Sequence, residues 1–278
     1  MHRASGMPFP GRKGEFAIKT VGLTRKFGRL IAVDHLNLAI PYGRIFGLLG
    51  ANGAGKTTLI KMLTTLLAPT SGNAEVGGFG IIEFPAEVRR RIGYVPQLLS
   101  ADGVLTGYEN LRLSAKLYGL PRSERRVRIG EALNFMGLTE SAQQLVKTYS
   151  GGMIRRLELA QAMLHRPAIL FLDEPTIGLD PMARHAVWGL LRELRRDYGM
   201  TVLITTHDME EAEALCDELA ILHTGRIAVE GKPSELRSRL GADASMDDVF
   251  AHYAGGGIYD GGRFSDIAQA RRTAQRLG

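Results

Sequence analysis

The chain has 278 residues, 45% of them hydrophobic, enough to bury a substantial core in one or two domains. It holds no run of roughly 18 or more apolar residues, which excludes a membrane-spanning helix, and its single cysteine, Cys216, excludes an internal disulfide framework and fits a reducing compartment. The net charge of +6 gathers in clusters at Arg89 to Arg91, at Arg122, Arg125, Arg126 and Arg128, and at Arg263, Arg271, Arg272 and Arg276. Such clusters read first as solvated faces, with attraction to an anionic membrane surface or nucleic acid as the alternative. No aromatics are interleaved with them, so nucleic acid is not the expected partner.

The opening MHRASGMPFPGRKG carries charge but no apolar stretch; it reads as a flexible lead over residues 1–15 rather than a signal peptide. Ile45 to Leu49 is an apolar run expected to form a buried strand. It feeds into Gly50, Ala51, Asn52, Gly53, Ala54, Gly55, Lys56, Thr57 and Thr58, a phosphate-loop pattern in the strand–loop–helix setting that pattern needs. The glycines free the backbone to turn its N–H groups onto phosphates, and the helix beginning near Lys56 adds its N-terminal N–H groups. Lys56 is expected on the β- and γ-phosphates and Thr57 on Mg²⁺. Leu59, Leu63, Leu66 and Leu67 suggest one apolar face for that helix.

Downstream, Thr106 and Glu109 form a capping box ahead of Leu111, Leu113 and Leu117, with Gly119 and Pro121 as a stop. Val127, Ile129, Leu133 and Met136 mark a second helix ending at Gly137. Ser150, Gly151 and Gly152 open another helix, whose N-terminus could bind an anion with Ser150 as cap. Ala168 to Leu172 is a second buried strand delivering Asp173 and Glu174. Because parallel-sheet enzymes hold ligands at the carboxyl ends of strands, Asp173 is expected near the metal and Glu174 on the water that attacks the γ-phosphate. Asp180 before Pro181 is an N-cap with a first-turn proline, and Gly199 a helix stop. Thr201 to Thr205 reads as a third strand. It carries His207 to the same layer, ahead of an acidic helix from Asp208 to Leu215; a lone histidine is more often structural, but this placement favours a role at the γ-phosphate. Beyond Leu240 lie DASMDDVF, a glycine-rich break at Gly255 to Gly257 that reads as linker, and an Arg-rich end.

With these motifs in this order, the chain resembles the ATP-binding cassette ATPases from about Phe16 to Leu240. The resemblance implies an α/β fold: a P-loop NTPase (RecA-like) core with an N-terminal antiparallel β subdomain and an inserted α-helical subdomain over about residues 98–150, followed by an extension over 241–278. It also implies a stacking role toward adenine for Phe27, for which packing is the plainer alternative, and an Mg²⁺-sensing, catalytic-site role for Gln97 in GYVPQ. Ser150 to Gly152 would close over ATP held by a second copy, with Asp180 at the dimer interface. The segment YSGGM, with Tyr149 and Met153 where LSGGQ is commonest, together with LTGYENLRLSAKLYGL, THDMEEAEALCDELAILHTGRI and DVF, resembles the daunorubicin-resistance branch. That branch implies a homodimeric ATPase subunit at the cytoplasmic face of the membrane, working with ATP, Mg²⁺ and an ABC-2-type permease to export drugs, polyketides, lipids or polysaccharides. Ile154 stands where a basic residue is frequent and has no assigned effect. An importer subunit, or a soluble cassette ATPase acting on nucleic acid or as an assembly scaffold, are the alternatives.

Overall fold

A computed structural model describes residues 14–255 of the chain. Most of the expected lead, the glycine break beyond Gly255, and Arg263, Arg271, Arg272 and Arg276 lie outside the described residues.

Two sheets organise these residues. The first strands are β1 (Phe16–Phe27), β2 (Leu30–Pro41) and β3 (Ile45–Leu49), followed by α1 (Lys56–Leu63), β4 (Ser71–Val76) and β5 (Phe79–Gly80). Next come α2 (Pro85–Arg91), β6 (Ile92–Val95), α3 (Gly107–Leu117), α4 (Arg122–Phe135) and α5 (Gly151–Met163). The chain continues through β7 (Ile169–Asp173), α6 (Pro181–Tyr198), β8 (Thr201–Thr206), α7 (Met209–Leu215), β9 (Glu218–His223) and β10 (Arg226–Gly231), and closes with α8 (Pro233–Ser238) and α9 (Met246–Ala254). The antiparallel sheet runs β2-β1-β4-β5 and the larger sheet β10-β9-β3-β8-β7-β6. In the larger sheet β6, β7, β8, β3 and β9 pair in parallel, and β10 joins its edge antiparallel.

The central strands read as unbroken apolar runs because both of their faces are covered. Alternate residues divide between two cores, as a two-residue side-chain period requires. Phe46, Leu48, Ile169, Phe171 and Leu203 face α1 and the antiparallel sheet, against Leu59, Ile60, Leu63, Ile18 and Ile40. Ile45, Leu170, Leu172, Val202 and Ile204 face the other way, toward Leu111, Leu157, Trp188 and Leu191 of the helical layer. A third cluster joins Leu49 and Ile221 to Met209, Ala212, Leu236, Met246 and Val249. The segment DASMDDVF therefore docks: Ser245 and Asp248 form a capping box that starts α9, and Met246 and Val249 are buried.

Local signals placed most helix ends. Thr106 and Glu109 make the expected reciprocal cap on α3, Asp180 caps α6 and Gly199 ends it in the left-handed region. Two apolar assignments need correction. The first helix stops at Leu63 and Thr65 turns left-handed, so Leu66 and Leu67 lie beyond it; Leu66 is exposed, and Leu67 packs partly buried against the core. Leu113 and Leu117 on α3 and Val127 on α4 are also exposed, while Leu111, Ile129, Leu133 and Met136 are buried.

Leu203 is fully buried in a central strand, so Leu203→Ala is expected to lower unfolding free energy by about 2–5 kcal/mol. Equilibrium denaturation checks this; a loss under about 1 kcal/mol would contradict the close packing described here.

Candidate functional site

The phosphate loop leaves β3 after Leu49 and enters α1 at Lys56. Gly53 and Gly55 have φ of 83° and 108°, backbone that L side chains rarely adopt. Space is also short: a Cβ at Gly55 would strike the Ala32 carbonyl oxygen, and one at Gly50 would sit 2.6 Å from that of Leu222. The loop is thus pressed onto β2 and β9, with Asn52 and Gly53 exposed, Ala54 buried and Thr58 half-buried. No side chain caps the N-terminus of α1, which leaves its first N–H groups for an anion. Lys56 folds back to donate from Nζ to the carbonyls of Gly50 at 2.6 Å and Ala51 at 3.3 Å.

Strand order assembles the rest. In the run β6-β7-β8-β3, the carboxyl ends of neighbouring strands carry Gln97, then Asp173 and Glu174, then His207, then the loop. Asp173 is buried, and its Oδ1 accepts from Thr205 Oγ1 at 2.6 Å and Thr57 Oγ1 at 3.3 Å. Glu174 takes the left-handed conformation at φ 48°, held by its N–H donating to the Thr205 carbonyl at 3.1 Å and hydroxyl at 3.0 Å. Strained backbone of this kind persists only where its surroundings over-determine it. The turn aims the Glu174 carboxylate into the site, where Oε1 lies 3.3 Å from Lys56 Nζ and Oε2 3.1 Å from His207 Nδ1. Gln97 Nε2 donates to Oε2 at 3.5 Å. On β6, the Tyr94 hydroxyl is pushed up to about 12, first by burial and then by the charge of Asp173.

Thr57 and Asp173 offer two hard oxygen donors at one point. Among the described residues no cluster of three or more His, Cys, Asp or Glu side chains could hold a metal alone. The donor set fits a small divalent cation that draws its remaining ligands from phosphate and water.

The other predicted segment stands apart. Ser150 caps α5, its Oγ accepting from the Met153 N–H at 3.3 Å, and Gly152 sits where a Cβ would come 2.8 Å from that of Ala183 on α6. Tyr149 is buried and donates its hydroxyl to the Ser141 carbonyl at 2.6 Å, so this signature departure is a packing residue. Met153 and Ile154 pack, partly buried, against the helical core. Ser150 and Gly151 are exposed, and no hydrogen bond or ion pair among the described residues joins Ser150, Gly151 or Gly152 to the loop at Gly50 to Thr58. Asp180 is exposed and accepts from the Ala183 N–H at 2.9 Å. Phe27 lies exposed at the end of β1, with the Arg25 guanidinium 4.6 Å from its ring centre.

Two supports went unread in the sequence. Thr205 is the penultimate residue of β8, a largely apolar strand, yet its hydroxyl holds both Asp173 and the Glu174 backbone. Arg155 and Glu158 on α5 are almost completely buried and paired at 3.0 Å. Arg155 also donates to the Pro96 carbonyl at 2.9 Å and that of Gln97 at 3.1 Å, and Glu158 accepts from Ser100. The Gln97 segment is thereby tied to the helix that Ser150 begins. Two charges one helical turn apart look like an exposed surface pair; only burial distinguishes this one.

A glycine-rich loop between a parallel strand and a helix, with a hydroxyl after its lysine and two acids at a neighbouring strand end, defines a P-loop NTPase. The ABC transporter family profile matches residues 33–177, and the chain belongs to that family, as one of its ATP-binding ATPases. It is 46% identical over 227 residues to the daunorubicin/doxorubicin resistance ATP-binding protein DrrA of Streptomyces peucetius, spanning 82% of this chain and 68% of that protein. Similarity to the linearmycin resistance ATP-binding protein LnrL of Bacillus subtilis is 40% over 226 residues, 81% of this chain and 72% of that one. A dimeric ATP-binding cassette solved in a post-hydrolysis state with ADP and Pi superposes with a TM-score of 0.70 at 28% identity, covering 77% of this chain and 98% of that one.

Replacing Thr205 with valine keeps the shape and removes the hydroxyl. Thr205→Val is expected to cost about 1–3 kcal/mol of stability by leaving the buried Asp173 carboxylate short of a donor, and to slow ATP hydrolysis. Thermal unfolding and steady-state turnover on one preparation measure both; parental values for each would show that the hydroxyl is dispensable.

Proposed function

We propose that this chain is the ATP-hydrolysing subunit of an exporter, acting as a homodimer on the cytoplasmic face of the membrane with an ABC-2-type permease. Its cargo is a drug-like, polyketide, lipid or polysaccharide molecule. The observation that carries the shared-site reading is the separation within one chain. The loop, Asp173, Glu174, His207 and Gln97 converge, while Ser150, Gly151 and Asp180 stand exposed, and neither they nor Gly152, buried against α6, are bonded to that cluster. Two copies related by a two-fold axis would each lend the Ser150 helix to the loop of the other. The dimeric cassette with ADP and Pi supports that arrangement, and the names of the resistance proteins support export.

In this reading the loop N–H groups and Lys56 bind the β- and γ-phosphates, and Phe27 offers an exposed face to adenine. Thr57 and Asp173 would hold Mg²⁺, with Gln97 nearby; the ion would neutralise phosphate charge. Glu174, in the γ-phosphate layer, orients a water and takes its proton as the water oxygen bonds to the γ-phosphorus. The bond to the bridging oxygen breaks, leaving ADP and phosphate. His207 holds the Glu174 carboxylate on the side away from Lys56. Closure around ATP would pull the Gln97 segment and its attached α5 helix together and so move the membrane partner.

Glu174→Gln is expected to bind ATP, lower kcat by roughly 10²–10⁴-fold and accumulate dimer in size-exclusion chromatography; normal turnover would remove Glu174 from this role. Mixing Lys56→Ala with Ser150→Arg tests sharing between copies. Each variant alone should be inactive, and the mixture should regain activity from one intact site per mixed dimer. A mixture as inactive as its components would count against sites built in trans.

A further inference from the structure

Glu211, on α7, is a carboxylate only 1% exposed, and no hydrogen bond or ion pair among the described residues joins it to the phosphate loop. Its Oε1 accepts from Thr176 Oγ1 at 2.7 Å and from Trp188 Nε1 at 2.9 Å, and the Thr206 side chain lies beside it and favours its charged form. Burial raises its carboxyl above the usual range, while the Thr176, Thr206 and Trp188 side chains act in the opposite sense. Each of these three side chains stands beside a different part of the catalytic edge. Thr176 lies two residues past Glu174, on the turn that begins with the left-handed Glu174 backbone. Thr206 immediately precedes His207. Trp188 projects from α6, the helix capped by Asp180. A second link runs parallel to these: Asp208, which caps α7, pairs with Arg184 of α6 at 2.7 Å.

An apolar side chain would fill the space between α6 and α7 without removing a carboxylate from water, an exchange that is often neutral or stabilising. What an apolar residue cannot supply is one acceptor shared by the Glu174 turn and α6, with the end of β8 beside it. We propose that Glu211 is a positioning residue for ATP hydrolysis. It ties the Glu174 turn, the strand end at His207 and the helix headed by Asp180 into one unit, so that they keep a single geometry or move together. The inference rests on the roles proposed above for Glu174, His207 and Asp180, and deepens them. It predicts that loosening the hub slows the chemical step and leaves nucleotide binding intact, because Glu211 does not reach the loop.

The full-length protein carries the test. Trp188 is the only tryptophan in the chain, so intrinsic fluorescence reports on the hub directly. Glu211→Met should shift Trp188 emission, lower kcat by about 10–100-fold and leave the KM for ATP within about twofold of the parent, the pattern of misplaced catalytic groups. Glu211→Gln keeps an oxygen for Thr176 and Trp188 and should recover kcat to within a few-fold of the parent. Parental kcat in Glu211→Met, a KM effect without a kcat effect, or a glutamine variant as slow as the methionine one would each overturn the proposal. If Glu211→Met fails to fold, Thr176→Val decides, since it removes one donor and leaves the carboxylate in place: a reduced kcat at unchanged KM supports the hub, and a parental kcat overturns it. Glu174→Gln assayed alongside separates the two levels. If it is slow while the Glu211 variants are normal, only the hub fails; if it turns over normally, the assignment of Glu174 itself fails.

Discussion

The pair Lys56–Glu174 constrains the site more than any other interaction. Both side chains are more than nine-tenths buried and their charged atoms lie 3.3 Å apart. Removing either charge from water costs several kcal/mol, and a partner in the wrong place leaves the other uncompensated. The two residues arrive on different strands, β3 through its loop and β7 through its final turn, with β8 between them. Register across these strands pairs Leu49 with Thr206 and Asp173 with Thr205. A one-residue slip in either ladder would separate the charges and turn every core side chain to the wrong face.

The remaining geometry follows from that register. Thr205 lies opposite Asp173, so its hydroxyl can hold the carboxylate and the Glu174 N–H together. His207 leaves the same strand and approaches Glu174 from the side opposite Lys56. Behind this edge, Glu211 holds the Glu174 turn and α6 on one oxygen through Thr176 and Trp188, and Arg155 fastens the Gln97 segment to α5. Charges drawn into the interior at these points are each paired or bonded by several donors, as burial of ionised groups demands. They join elements that apolar packing alone would leave free to slide.

Legibility in the sequence was high wherever the information is local. The phosphate loop is contiguous, so its glycines, lysine and threonine declare their geometry in a single stretch. The Thr106–Glu109 box, the Asp180–Pro181 start and the Gly199 stop depend on backbone bonds within one turn, and each ended an element where expected. Strands covered on both faces appear as unbroken apolar runs, which placed Asp173, Glu174 and His207 at strand ends. Leu66 and Leu67 were misjudged because helical spacing marks which residues would share a face and does not show where the helix stops; α1 ends at Leu63 and Thr65 turns left-handed.

The residues therefore specified the chemistry, the strand ends that carry it and the helix starts around it, since those follow from short-range steric and hydrogen-bonding rules. Strand order lay beyond them. The order β6-β7-β8-β3 puts Gln97, Glu174, His207 and Lys56 side by side, although they are spread across more than half the chain. Tertiary packing also decided which charges would be buried, making Arg155, Glu158 and Glu211 interior struts although each looks like an ordinary surface residue of a helix. The left-handed turn at Glu174 belongs to the same class, because no local preference favours it and only its long-range partners hold it. Such features depend on which distant groups share a dry environment, and that is set when the layers close.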